Sequence, residues 1–229
     1  MIKSRIAVAG ALLVTAGLAN AAGFTFTPTL TSDYDFRGVS QTNPEQDDDI
    51  KPALQLGANY SFESGFYAGI WGSNVDFDTF TPDQKPDIEM DYTVGFAGGD
   101  AAKSFGFDFG ATYYTYLSAS SGNTVEIYAG LSKGWFAGKL WYSDDYFSTD
   151  RSGFYLEGNA TIPLPKDFSL LAHVGMSDGD YWASSVTDYS IGVGKSFGNF
   201  ATTLKWVDGT DGLNGRAILS VSTTLPWAE

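Results

Sequence analysis

Charged residues recur at every second position in this chain, and that spacing decides what chemistry they can do. Asp33, Asp35 and Arg37 are two apart in an extended run, so they project from one face of a strand. Glu89 and Asp91 share a face by the same parity. Asp108, Glu126, Glu157 and Asp188 each fall on the polar side of an alternating stretch, and Lys51, Lys139, Lys205 and Arg216 add positive charge. Eight acids against five bases on one wet inner surface would tune which ions pass, as charged rings do in pores. A plainer role for Arg37 is to pair with neighbours such as Glu89 or Asp91 and brace the wall. The two roles are compatible.

Other candidates are weaker. His173 is the only histidine. Its parity points inward, with Ser169 on the same stretch and Ser190 on the next, and a hydrolase would need such a His beside a Ser or an acid. The plain reading is a polar residue lining an interior. Asp47-Asp48-Asp49 could collect Ca²⁺ through carboxylate oxygens, but it lacks the glycine and distal glutamate of a dedicated calcium loop and reads first as a solvated acidic loop. Asp208-Gly209-Thr210-Asp211-Gly212 is turn chemistry. No phosphate loop, zinc motif or dinucleotide fingerprint occurs, so no cofactor and no metal is expected.

These residues are carried by twelve short stretches of period-two alternation. The first, residues 24–39, sets Phe24, Phe26, Leu30, Tyr34 and Phe36 against Thr25, Thr27, Thr29, Thr31, Asp33, Asp35 and Arg37. The second, 51–62, opposes Leu54, Leu56, Tyr60 and Phe62 to Gln55, Gly57 and Asn59. The third is less clean and groups Tyr67, Trp71, Val75 and Phe77 as its apolar side. Later stretches repeat the pattern, with Phe107 beside Asp108, Ile127 beside Glu126, Leu156 beside Glu157 and Val193 beside Gly194. Connections after odd-numbered stretches are mostly longer and polar, and those after even-numbered ones are short turns such as Glu63-Ser64-Gly65.

An export signal precedes them. Lys3 and Arg5 form a basic start, residues 6–18 are apolar or small, and Ala19-Asn20-Ala21 fits a small-x-small cleavage site. The expected organisation is a signal peptide at 1–21 and one β domain at 22–229. Losing Lys3 and Arg5 takes the formal charge from −14 to −16, which argues against nucleic-acid partners. The chain has no cysteine, so no disulfide or thiolate site. Mean hydropathy is near neutral, as it is in membrane barrels, where half of each strand faces a polar interior. The 17 Phe, 13 Tyr and 6 Trp are abundant for a soluble domain and suit aromatic girdles. A soluble barrel also alternates, but it fills its interior with large apolar residues and charges its outside. Here the polar face is rich in Gly, Ser, Thr and Tyr. The fold class is therefore all-β, a transmembrane antiparallel up-and-down β-barrel of about twelve strands, with ten to fourteen allowed, in the cell outer membrane.

The stretch Ser32-Asp33-Tyr34-Asp35-Phe36-Arg37-Gly38-Val39-Ser40-Gln41 resembles the N-terminal signature of the TorF-type porin family of proteobacteria. Pro52-Ala53-Leu54-Gln55 and Gly65-Phe66-Tyr67-Ala68-Gly69-Ile70-Trp71-Gly72-Ser73-Asn74-Val75 match as well. Glu89-Met90-Asp91-Tyr92 and Glu126-Ile127-Tyr128-Ala129-Gly130-Leu131 are weaker echoes. The resemblance runs the length of the mature chain and thins after about Ser132. It implies an outer-membrane barrel assigned as a porin, with no substrate or catalytic residues to transfer. The ending Leu225-Pro226-Trp227-Ala228-Glu229 departs from the terminal aromatic common in such barrels, with Trp227 the nearest substitute.

The function expected is a narrow passive channel for ions or small solutes, with a lumen lined by acidic and polar residues. A non-conducting structural or adhesive barrel is the alternative, and Tyr114, Tyr116, Tyr128 and Tyr155 closing the lumen would favour it. A barrel hydrolase is a third possibility. Expected partners are outer-membrane lipid and lipopolysaccharide, the barrel-assembly machinery, and the small solutes that pass.

Overall fold

A computed structural model of the chain describes residues 22–44, 49–77 and 85–227. The expected signal peptide, Asp47 and Asp48 of the acidic loop, and residues 78–84 lie outside the described residues.

The strands are β1 (Gly23–Thr31), β2 (Asp35–Phe36), β3 (Val39–Ser40), β4 (Ala53–Ser61), β5 (Phe66–Asn74), β6 (Ile88–Gly99), β7 (Gly106–Leu117), β8 (Thr124–Lys133), β9 (Phe136–Ser143), β10 (Gly153–Leu164), β11 (Phe168–Asp178), β12 (Val186–Phe197), β13 (Phe200–Gly209) and β14 (Arg216–Thr223). Twelve of them, β1 and β4 to β14, form one closed barrel of antiparallel neighbours. Closure gives every strand a neighbour on both sides, which is what a β-structure needs to lie in lipid. The closing seam is short. β1 pairs with β4 along its whole length, from Gly23–Ser61 to Thr31–Ala53. It pairs with β14 only at Thr29–Ser222, Leu30–Val221 and Thr31–Ser220, with one bridge from Phe26 to Leu225.

The distribution of side chains is inverted relative to a water-soluble domain. Phe107, Ile127, Leu156 and Val193 are all exposed on the outer wall, while Glu89, Glu126, Asp91 and Asp188 are buried inside. Large apolar side chains facing outward are stable only against an apolar solvent. Around the short-turn rim, Phe66, Phe96 and Phe109 stack edge to face or tilted at 5.0 and 5.5 Å, part of an aromatic girdle.

Two expectations are corrected by the structure. The first strand does not continue to Val39. It leaves the wall after Thr31, where the Ser32 amide donates to the Leu219 carbonyl at 2.9 Å and the Leu219 amide donates to Ser32 Oγ at 3.0 Å. Beyond that point the chain forms a separate hairpin, β2 and β3, inside the barrel. The second correction is the facing of β5. Phe66 and Ile70 are the outward residues, and Tyr67 is buried within, as are Val75 and Phe77 just beyond the strand. Tyr67 has a hydroxyl that needs a partner when buried, and it finds Asp108, two strands along the wall on β7, at 2.6 Å.

Candidate lumen site

The segment 32–43 occupies the interior of the barrel. Its turn is Arg37-Gly38, flanked by the pairs Asp35–Ser40 and Phe36–Val39. Both turn residues have positive φ, +52° and +83°, as two-residue hairpin turns require. Gly38 is also needed for space, because a Cβ there would lie 2.6 Å from Leu213 Cδ1 and 2.7 Å from Asp188 Cβ. Asp33 holds the base of the hairpin. It accepts from the Ser40 hydroxyl, and from Thr42 Oγ1 at 3.0 Å. The Gln41 amide donates to the Tyr34 carbonyl at 2.7 Å.

From this turn Arg37 reaches the far wall. Its Nη1 and Nη2 donate to the two oxygens of Glu126 at 2.8 and 2.6 Å, a bidentate bridge. Glu126 is on β8, five strands round the ring from β1 one way and seven the other. The guanidinium lies 4.4 Å from the Tyr155 ring and 4.7 Å from the Phe36 ring, and donates to the Tyr146 hydroxyl at 3.3 Å. Burial opposes the charge on Arg37, but Glu126 outweighs it and holds the pKa above the ordinary arginine value. Burial, then the charges of Glu89 and Asp91, push the Tyr34 phenol well above its ordinary value, so it stays a neutral donor. The expected pairing of Arg37 with Glu89 or Asp91 is thus replaced by one with Glu126. A strand-bound Arg37 would reach only neighbouring strands, whereas one at a hairpin tip crosses the lumen.

The other inward bases are engaged too. Arg216 Nε donates to Asp33 at 2.5 Å, its Nη2 to Asp35 at 2.6 Å and its Nη1 to the Gly38 carbonyl at 2.8 Å. Lys205 pairs with Asp35 at 3.2 Å, and Lys139 with Asp108 at 2.7 Å. Among the described residues, Glu89, Asp91, Glu157 and Asp188 have no Lys or Arg bridge. Glu157 accepts from Trp141 Nε1 at 2.9 Å and Asn159 Nδ2 at 2.8 Å. Asp188 accepts from the Tyr155 hydroxyl at 3.0 Å and sits 2.8 Å from His173 Nε2. Tyr155 lies so close over Gly175 that a Cβ there would be 2.0 Å from its hydroxyl. Acidic side chains in this part of the lumen therefore outnumber the Lys and Arg that bridge them.

Parity alone places all nine candidate residues inside, but it could not distribute them between wall and hairpin. Asp33, Asp35 and Arg37 belong to the hairpin. Glu89, Asp91, Asp108, Glu126, Glu157 and Asp188 belong to the wall. Phe36, Tyr146 and Trp141, which surround Arg37, were not singled out. The available signal was the Arg-Gly pair between two short extended dipeptides. His173 does not form a Ser–His pair. Its Nδ1 is 2.8 Å from Asn159 Oδ1 and its Nε2 faces Asp188 and Tyr155.

The long-loop end of the lumen is filled. Tyr114, Tyr116 and Tyr155 are buried around the hairpin, and Tyr146 packs against Tyr181 and Trp182 at 4.9 and 4.8 Å above it. The short-turn end holds a cavity of about 330 Å³ lined in part by Asp100, Asp108, Lys139, Asn159 and Thr161. The lumen is thus filled toward the long loops, and the cavity lies toward the short turns.

The barrel is similar to solved porin structures. It matches the KdgM porin with a TM-score of 0.54 and 10% identity, covering 90% of this chain and 99% of that one. The KdgM porin in complex with disordered oligogalacturonate gives 0.55 and 10% over 90% and 99%. The NanC porin gives 0.51 and 10% over 88% and 98%. At such identity the likeness is one of fold. A family profile described as "Bacterial protein of unknown function (Gcw_chp)" matches residues 16–217. No curated protein matches the sequence.

Proposed function

The chain belongs to the Gcw_chp family of bacterial proteins of unknown function, and from its geometry we propose that it is an outer-membrane porin, a narrow passive channel for ions or small solutes. Twelve strands make a bore between that of eight-strand barrels, filled by side chains, and that of general porins. The observation that carries the reading is the hairpin at 35–40, which lies in this bore and is bridged to the far wall by Arg37 and Glu126. A barrel meant only as an anchor could be filled by wall side chains alone; a loop folded inward on breakable polar contacts sets the width of a passage. The cavity beneath it supports the same reading.

The solute is inferred from charge. Four lumen acids lack a Lys or Arg bridge among the described residues, so the pore favours small cations. The same acids disfavour a polyanion such as the oligogalacturonate seen with KdgM. The resemblance to TorF-type porins supports the channel role, and a cleaved signal at 1–21, outer-membrane lipid, lipopolysaccharide and the barrel-assembly machinery are the features and partners that go with it. Asp33, Asp35, Arg37, Glu89, Asp91, Asp108, Glu126, Glu157 and Asp188 are proposed as the residues that set width and selectivity.

A second reading, a non-conducting barrel, is favoured by the burial of Tyr114, Tyr116, Tyr128 and Tyr155 in the lumen. Reconstitution in planar bilayers under a KCl gradient decides between them. The porin gives discrete conductance steps with a reversal potential on the cation side. Repeated reconstitution without steps establishes the non-conducting barrel.

A further inference from the structure

Glu89 and Asp91 stand apart from the rest of the lumen. They are two residues apart on the inner face of β6, and are only 1% and 2% exposed. Glu89 Oε2 and Asp91 Oδ1 are buried without a hydrogen-bond partner. Neighbouring lumen bases are committed elsewhere, Arg37 to Glu126, Arg216 to Asp33 and Asp35, and Lys139 to Asp108. Buried carboxylates without a base are costly, and folded proteins satisfy them with a partner, a proton or a metal ion.

The surroundings are built for a hard cation. The cross-strand neighbours of Glu89 are Ser73 and Tyr116, and those of Asp91 are Trp71 and Tyr114. The Tyr116 hydroxyl donates to Glu89 Oε1 at 3.2 Å, and Tyr34 of the inner segment lies against Glu89, with its ring 5.3 Å from Trp71. All the free donor atoms are oxygens. Residues two apart on a strand are separated by about 6.6 Å along it, within the span of two carboxylates that converge on one ion.

We propose that Glu89 and Asp91 form a Ca²⁺-binding site in the lumen, with each carboxylate supplying the oxygen that now lacks a partner. Two negative charges match one divalent cation, and calcium accepts the irregular oxygen shell that two carboxylates, a phenol and water provide. Among the described residues no three acidic or histidine side chains form a ready metal cage. The affinity expected is therefore in the range of about 10⁻⁴–10⁻³ M, as for extracellular calcium modules. Ion binding beneath Tyr34 would also anchor the inner segment to β6. The site does not depend on conduction, since a non-conducting barrel would bind the ion equally.

The test is Tb³⁺ luminescence of the folded full-length mature protein in detergent, excited through Trp71 and the adjacent tyrosines and displaced by Ca²⁺. The wild type gives a signal that Ca²⁺ removes at submillimolar to millimolar concentration. E89Q/D91N loses it while keeping the heat-modifiable mobility of a folded barrel, and E89Q and D91N singly each weaken Ca²⁺ displacement by roughly tenfold or more. The loop variant D47N/D48N/D49N keeps the wild-type signal. An equal signal in wild type and E89Q/D91N, loss of the signal in the loop variant, or no Ca²⁺-sensitive signal in the wild type would each overturn the proposal.

Discussion

Arg37 and Glu126 meet across the barrel, two guanidinium nitrogens on two carboxylate oxygens at 2.8 and 2.6 Å, although β1 and β8 lie on opposite walls. Both side chains are nearly buried, at 8% and 1% exposure. Removing one partner of such a pair leaves the other as an uncompensated charge, whereas removing both does not.

The bridge predicts an asymmetry. E126Q leaves the Arg37 charge unmatched and should cost up to about 3–5 kcal/mol of barrel stability, less to the extent that water enters. R37A/E126A should cost less than E126Q and should raise single-channel conductance severalfold, because the hairpin loses its hold on the far wall. Unchanged conductance in the double variant would show that the hairpin does not limit the passage.

Gly38 predicts a tighter constraint. A methyl group there meets Leu213 and Asp188 and sits at φ +83°, so G38A should displace the turn at a cost of about 1–3 kcal/mol. Its conductance should change in the same direction as that of R37A/E126A. Val39→Ala, exposed and one residue away, should leave both conductance and stability near wild type.

The outer wall predicts depth-dependent penalties. Arg at Ile127, Leu156 or Val193 should cost about 2–4 kcal/mol in unfolding from bilayers, and Arg at Phe107, one pair from the turn end of the β6–β7 hairpin, only about 0–1 kcal/mol. Arg at Ser132 or Thr161, which line the lower cavity, should cost less. Equal losses on the two faces would argue against lipid outside.

Selectivity should follow the acids that no Lys or Arg bridges. E157Q/D188N should move the reversal potential toward zero under a KCl gradient. Raising the salt should do the same in the wild type, since screening acts over about 10 Å at 0.1 M. An anion-selective wild-type pore would refute the assignment of these acids to selectivity.

The strand ladder and the lipid face were legible because period two is a direct consequence of the pleat, and it survives in Phe107–Asp108, Ile127–Glu126 and Leu156–Glu157. The end of β1 was not. A hairpin that turns through Arg37-Gly38 keeps the same alternation as a continuing strand, so Asp33, Asp35 and Arg37 look alike in either case. Tyr67 and Trp71 on β5 misled for another reason. Their rings are apolar enough to suit a girdle, but a hydroxyl and an indole can also line a polar lumen, and Tyr67 does so through Asp108. The partner of Arg37 lay beyond reach, because local spacing carries no information about contacts across the interior.

The short seam between β1 and β14 gives the inner segment a structural duty besides narrowing the bore. Arg216 starts β14, and its guanidinium grips Asp33, Asp35 and the Gly38 carbonyl just beyond the end of β1. The clasp that shuts the cylinder is therefore fastened from inside, by the same residues that obstruct it. Width and wall integrity cannot be adjusted separately in such a design. A lineage that evolves a wider passage by withdrawing the segment must first lengthen the seam or find another fastener for it.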